Sequence, residues 1–81
     1  MERKENNVGV SYRKLWILLL DRNMSKAELR RAAGISPNTM TKMRKDEPVQ
    51  LSILEKICHV LHCDFGDIIS HVELPSEAAP K

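Results

Sequence analysis

Two cysteines and two histidines fall close together in the stretch CHVLHC, from Cys58 to Cys63. Thiolate and imidazole are preferred zinc ligands, so the composition suggests a metal site. On a helix, however, His59 and His62 share one side while Cys58 falls on the apolar face, so the four groups do not converge. The usual C-x-x-C and H-x-x-x-H spacings are also absent. We therefore expect no metal and no disulfide, with Cys58 in the core and Cys63 half-buried.

Catalytic chemistry is not indicated elsewhere in the chain. The three histidines have no serine or cysteine at a plausible spacing, and no glycine-rich loop is present to hold a phosphate. We expect a protein that is not an enzyme and that needs neither a cofactor nor a small-molecule ligand.

The charged residues point to a different kind of chemistry. Net charge is only +2 over the whole chain, but residues 25–45 carry a net charge of +5 and residues 46–81 a net charge of −5. A charge run is often no more than a solvated face. Here the cations lie on two predicted helices joined by a tight turn, which favours contact with nucleic acid phosphates.

Length and composition limit the fold that carries these charges. A chain of 81 residues corresponds to one domain, and with only three aromatic residues its core must consist of aliphatic side chains and methionine, which favours helices. The longest apolar run, Leu15 to Leu20, is far short of the roughly 20 residues of a membrane span. The N-terminus lacks the features of a signal peptide. We expect a cytoplasmic, all-α protein.

Capping residues and apolar spacing predict five helices. The capping boxes Ser25/Glu28 and Ser52/Glu55 would begin the second and fourth, and Asp64 with Asp67 would open the fifth. The first four are predicted over residues 11–22, 26–33, 37–45 and 53–62, and the fifth carries Phe65, Ile68, Ile69 and Val72. No segment shows the alternation of a strand. We expect residues 1–10 to be a flexible leader, 11–72 the domain, and 73–81 a flexible tail.

The second and third helices are separated by a very short break. Gly34 supplies a left-handed conformation, Ile35 is expected to fill the space between the helices, and Ser36 with Pro37 begins the next helix. Two helices joined in this way form the helix-turn-helix unit, whose second helix lies in the DNA major groove.

This stretch, SKAELRRAAGISPNTMTKM, together with LEKICHVLHCDFGDII downstream, resembles the Cro and phage-repressor (XRE-type) helix-turn-helix family. The resemblance covers roughly residues 11–72 and implies a compact five-helix, lambda-repressor-like DNA-binding domain. The sequence departs from the family pattern at Arg30, where the family usually has alanine, and at His62, where it commonly has glycine. An arginine at the helix crossing must extend past the neighbouring helix or widen the crossing angle.

The resemblance also implies which side chains meet DNA. Residues at the start of the third helix would contact base edges: Pro37, Asn38, Thr39 and Lys42. Asn38 is suited to a bidentate bond with adenine, Lys42 to guanine, and the Thr39 methyl to thymine. Residues around the unit would contact phosphates: Ser25, Lys26, Arg44 and Lys45.

The function predicted from these features is sequence-specific binding to double-stranded DNA by a transcriptional regulator, which we expect to be a repressor and a homodimer. The apolar stripe of the first helix is predicted from three- and four-residue spacing and consists of Tyr12, Leu15, Trp16, Leu19 and Leu20. Ile17 and Leu18 fall off this stripe; they are either covered by other parts of the chain or form the dimer contact. The alternative is a protein-interaction module, such as an antitoxin or a mobile-element accessory protein, that uses the same fold to bind a protein partner.

Overall fold

The structure, a computed structural model, describes residues 8–73. Four α-helices, a short 3₁₀ helix and a two-stranded antiparallel sheet make up this part of the chain. In chain order they are β1 (Val8–Ser11), α1 (Arg13–Asp21), α2 (Lys26–Ala33), α3 (Pro37–Arg44), α4 (Leu51–Leu61), the 3₁₀ helix Phe65–Asp67 and β2 (Ser70–Glu73). Within residues 8–73, no helix has both the length and the apolar character needed to cross a membrane.

The first helix is shorter than predicted. Ser11 Oγ accepts the Arg13 N–H at 3.2 Å, but Tyr12 occupies the N-cap position and α1 begins at Arg13 rather than at residue 11. The predicted inward position of Leu20 is wrong, because this side chain is 78% exposed at the edge of the apolar stripe. The rest of that stripe packs inward, with Trp16 half-buried and three side chains buried: Tyr12, Leu15 and Leu19.

The helix-turn-helix unit forms as predicted. Glu28 N–H donates to Ser25 Oγ at 3.0 Å and Ser25 N–H donates to Glu28 Oε1 at 2.7 Å, which completes the capping box. Gly34 has φ +68° and ends α2, while the Ile35 N–H closes the turn on the Arg30 carbonyl at 2.9 Å. Ser36 Oγ then accepts the Thr39 N–H at 3.1 Å and caps α3.

The fourth helix begins two residues earlier than predicted. Gln50 is its N-cap residue and makes no side-chain capping bond, so the expected Ser52/Glu55 capping box is wrong. At the other end His62 adopts φ 54°, the left-handed conformation that would explain why a glycine is common at this position.

The predicted fifth helix is wrong. The Asp64/Asp67 capping box does form, but it opens only the 3₁₀ helix 65–67. The chain then enters β2, which pairs with β1 in the register Val8↔Glu73 to Ser11↔Ser70. The prediction of no strands is therefore wrong, and β1 begins at Val8, within the range 1–10 that was expected to be a leader. Residues 1–7 and 74–81, the rest of the expected leader and tail, lie outside the described residues.

One apolar core joins the helices. Ile35, in the turn between α2 and α3, and Ile68, directly after the 3₁₀ helix, are both buried in it. Cys58 and Cys63 are half-buried against it. Its buried members are Tyr12, Leu15, Leu19, Leu29, Ala33, Ile35, Met40, Met43, Leu54, Ile57, Leu61 and Ile68. Met40 and Met43 fix which face of α3 turns inward, so its other face is left for solvent or a ligand.

Candidate nucleic-acid interface

The outward face of α3 carries the four side chains predicted to contact bases. Pro37, Asn38 and Lys42 are exposed and Thr39 is half-buried. Ser36 Oγ donates to Thr39 Oγ1 at 3.0 Å, so the Thr39 hydroxyl is already engaged in the cap. The helix start therefore presents an exposed amide and an exposed ammonium group beside a threonine whose hydroxyl is bonded within the cap.

A cleft runs from this face to the beginning of α4. Its lining residues are Thr39, Lys42, Pro48, Val49, Gln50 and Ile53. The sequence does not single out Gln50, because a lone glutamine before a helix carries no distinctive signal. In the structure Gln50 is exposed and lines the same cleft as Thr39 and Lys42, two of the residues predicted to contact bases.

The four predicted phosphate contacts lie at helix ends. Ser25 is exposed at the start of α2, but its N–H and its hydroxyl lone pair already serve the capping box with Glu28. Arg44 and Lys45 are exposed at the end of α3, where Arg44 Nη2 reaches Thr41 Oγ1 at 3.5 Å.

Lys26 has a neighbour that the sequence did not indicate. Its Nζ lies 4.5 Å from the centroid of the Trp16 ring, within cation–π distance. The two residues are ten positions apart on different helices, so no local pattern links them. The contact holds an exposed lysine over α1 at the beginning of α2.

Arg30 occupies the position at the helix crossing where the resembled family usually has alanine, and it is half-buried. Partial burial matches an arginine whose stem packs along the protein while its guanidinium extends outward. The other cations of α2 and α3 and the following C-cap are exposed: Lys26, Arg31, Lys42, Arg44 and Lys45. The helix-turn-helix unit thus presents a basic surface.

The stretch from Cys58 to Cys63 does not have the geometry of a metal site or of a reactive thiol. Burial, followed by the neighbouring Cys63, raises the pKa of Cys58 to about 11, so its thiol stays protonated at neutral pH. The rings of His59 and His62 lie 6.5 Å apart. Within residues 8–73, no three His, Cys, Asp or Glu side chains are grouped so that they would hold a metal ion.

Comparisons with known proteins agree with this geometry. The Cro/C1-type HTH DNA-binding domain family matches residues 14–73. The chain is 35% identical over 57 residues to the uncharacterized HTH-type transcriptional regulator YozG of Bacillus subtilis (strain 168), covering 68% of each protein. It is also similar to the crystal structure of the transcriptional regulator VanUg (Form II), with 48% identity, a TM-score of 0.82, and coverage of 90% of this chain and 97% of that one. The chain belongs to the Cro/C1-type helix-turn-helix DNA-binding domain family.

Proposed function

We propose that this protein is a transcriptional regulator that binds double-stranded DNA sequence-specifically, with α3 in the major groove of an operator. The observation that carries the proposal is the exposed pair Asn38 and Lys42 on the outward face of α3, delivered by a fully formed helix-turn-helix turn. Membership of the Cro/C1-type family and the names of the two relatives support it. The family match does not favour the alternative of a protein-interaction module.

In this proposal the side chains divide into two groups. Asn38 bonds an adenine, Lys42 a guanine, and Pro37 and Thr39 complete the contact with the base edges. Contacts to phosphate come from Ser25, Lys26, Arg44 and Lys45, which fix the position of the protein on the duplex. All eight residues are exposed except the half-buried Thr39.

Such a protein regulates transcription by occupying its operator. We propose that it acts in the cytoplasm as a repressor, excluding polymerase from the operator, and that it binds as a homodimer to half-sites about 34 Å apart. The predicted dimer residue Ile17 is 49% exposed and lines an open cleft with the half-buried Leu18, so within residues 8–73 nothing fully covers this surface. Size-exclusion chromatography with light scattering tests the dimer.

Selection of bound sequences from a random duplex pool is the first experiment. A palindromic consensus supports sequence-specific binding, dimerisation and the half-site spacing together. If no sequence is enriched at low salt, sequence-specific binding is refuted.

Single substitutions then separate the two groups of contacts. Lys42→Ala should lose about 5- to 100-fold in preference for the selected duplex. Lys26→Ala should weaken binding to all duplexes alike and lower the salt slope by about 1. Lys56→Ala is the matched control, since it removes an exposed lysine from α4 rather than from the helix-turn-helix unit. Equal effects of all three substitutions contradict the assignment.

A further inference from the structure

A buried tyrosine joins the beginning of α1 to the chain that leaves α3. Tyr12 is only 1% exposed. Its backbone N–H donates to Asp46 Oδ1 at 3.1 Å, and its phenol donates to the Glu47 carbonyl oxygen at 2.7 Å. These two bonds span 34 and 35 positions of sequence and fix one loop from two atoms of a single residue.

The loop that Tyr12 contacts follows directly after α3, the helix proposed to lie in the major groove. After α3 ends at Arg44, Asp46 turns the chain with φ 58°, a left-handed conformation that Asp adopts more readily than most residues with a side chain. The Glu47 N–H then donates back to the Lys42 carbonyl oxygen at 2.9 Å. Glu47 therefore connects Tyr12, through its carbonyl, with the backbone of Lys42, through its N–H.

We propose that Tyr12 is a positioning residue for the DNA-contacting helix: it fixes the loop after α3 and thereby the backbone from which Lys42 reaches its base. The inference rests on the proposed function of α3. Hydrogen bonds to base edges require donors and acceptors to meet within a few tenths of an ångström, so a looser loop costs sequence preference before it costs folding.

The ionisation of Tyr12 is compatible with this role. Burial raises its pKa above the ordinary value, and the nearby Asp46 carboxylate acts in the same direction, although a backbone hydrogen bond at Val49 lowers it in part. The phenol therefore keeps its proton at neutral pH and remains a donor to Glu47.

Tyr12→Phe is the test variant, because it keeps the ring in the core and removes only the phenolic hydroxyl. Ile68→Val is the matched control: Ile68 is fully buried after the 3₁₀ helix, and this substitution removes core contacts without altering the loop bonds. Both are compared with the unmodified protein at a temperature where circular dichroism shows each to be folded. The measured quantity is the ratio of affinities for the selected duplex and a scrambled one.

Tyr12→Phe should reduce that ratio about 5- to 100-fold, the range expected for loss of one base contact, while Ile68→Val leaves it unchanged. Hydrogen exchange of the Glu47 amide in the free protein should become faster in Tyr12→Phe only. If the unmodified protein prefers the selected duplex and Tyr12→Phe keeps the full ratio, the positioning role is refuted while the proposed function stands. If the unmodified protein shows no preference, both are refuted.

Discussion

Gly34, the left-handed residue in the turn between α2 and α3, allows the free-energy cost of a side chain at this position to be measured. Gly34 has φ +68°, and a Cβ built on it meets no atom of residues 8–73 within 4 Å beyond its own chain neighbours. Gly34→Ala therefore adds no clash, and its cost is confined to the backbone conformation, about 1–2 kcal/mol for an L-residue. Gly66 is the matched control, since its Cβ would also meet open space but its φ is not positive. Gly66→Ala should leave stability within about 0.5 kcal/mol of the original.

Urea unfolding followed by circular dichroism measures both variants. With a slope of about 1 kcal/mol/M for so small a protein, Gly34→Ala should lower the midpoint by about 1–2 M and Gly66→Ala by at most about 0.5 M. Gly34→Asn should fall between Gly34→Ala and the original, because asparagine tolerates the left-handed region better than alanine. Equal midpoints for Gly34→Ala and Gly66→Ala would refute the claim that the turn depends on a left-handed residue.

Three further predictions use other sites. His62→Gly should raise the free energy of unfolding by about 0.5 kcal/mol, since φ 54° disfavours a side chain; a lower urea midpoint would contradict this. The rate of iodoacetamide modification at Cys58, followed by peptide mass spectrometry, should keep rising up to about pH 11, because the thiolate forms only there; a plateau near pH 9 would show an unshifted thiol. Lys26→Met should alter the fluorescence of Trp16, the only tryptophan, by removing the cation above its ring, whereas an identical emission spectrum would exclude the contact in solution.

Local signals were sufficient for the DNA-contacting unit. Each of its signals determines the backbone conformation of residues no more than four positions away, so its effect follows from the sequence alone. These signals are the Ser25/Glu28 capping box, Gly34 and the Ser36-Pro37 pair. The inward positions of Met40 and Met43 follow from helical spacing in the same way. The predicted contacts to bases and phosphates remain predictions, although the structure leaves all but Thr39 exposed.

The end of the domain shows where local signals fail. Asp64 and Asp67 do form a capping box, yet a capping box specifies only the first turn and not how far the helix continues. Beyond it, Ile68 enters the core and Ser70–Glu73 pairs with Val8–Ser11, about 60 positions earlier. Strands of four residues are too short to show clear alternation, and their pairing partner is not visible in a local window.

The same division between local and long-range determinants applies to α3. Its beginning is fixed locally by Ser36 and Pro37, but its exit is held by Tyr12, whose place in the apolar stripe predicts burial and nothing about its two hydrogen bonds. A hydroxyl in a core needs a partner, because an unsatisfied buried polar group costs about 1–3 kcal/mol. The carbonyl of Glu47 meets that need only once α1 and the α3 exit are packed together. The orientation of Lys42 therefore depends on tertiary packing as much as on the turn that precedes it.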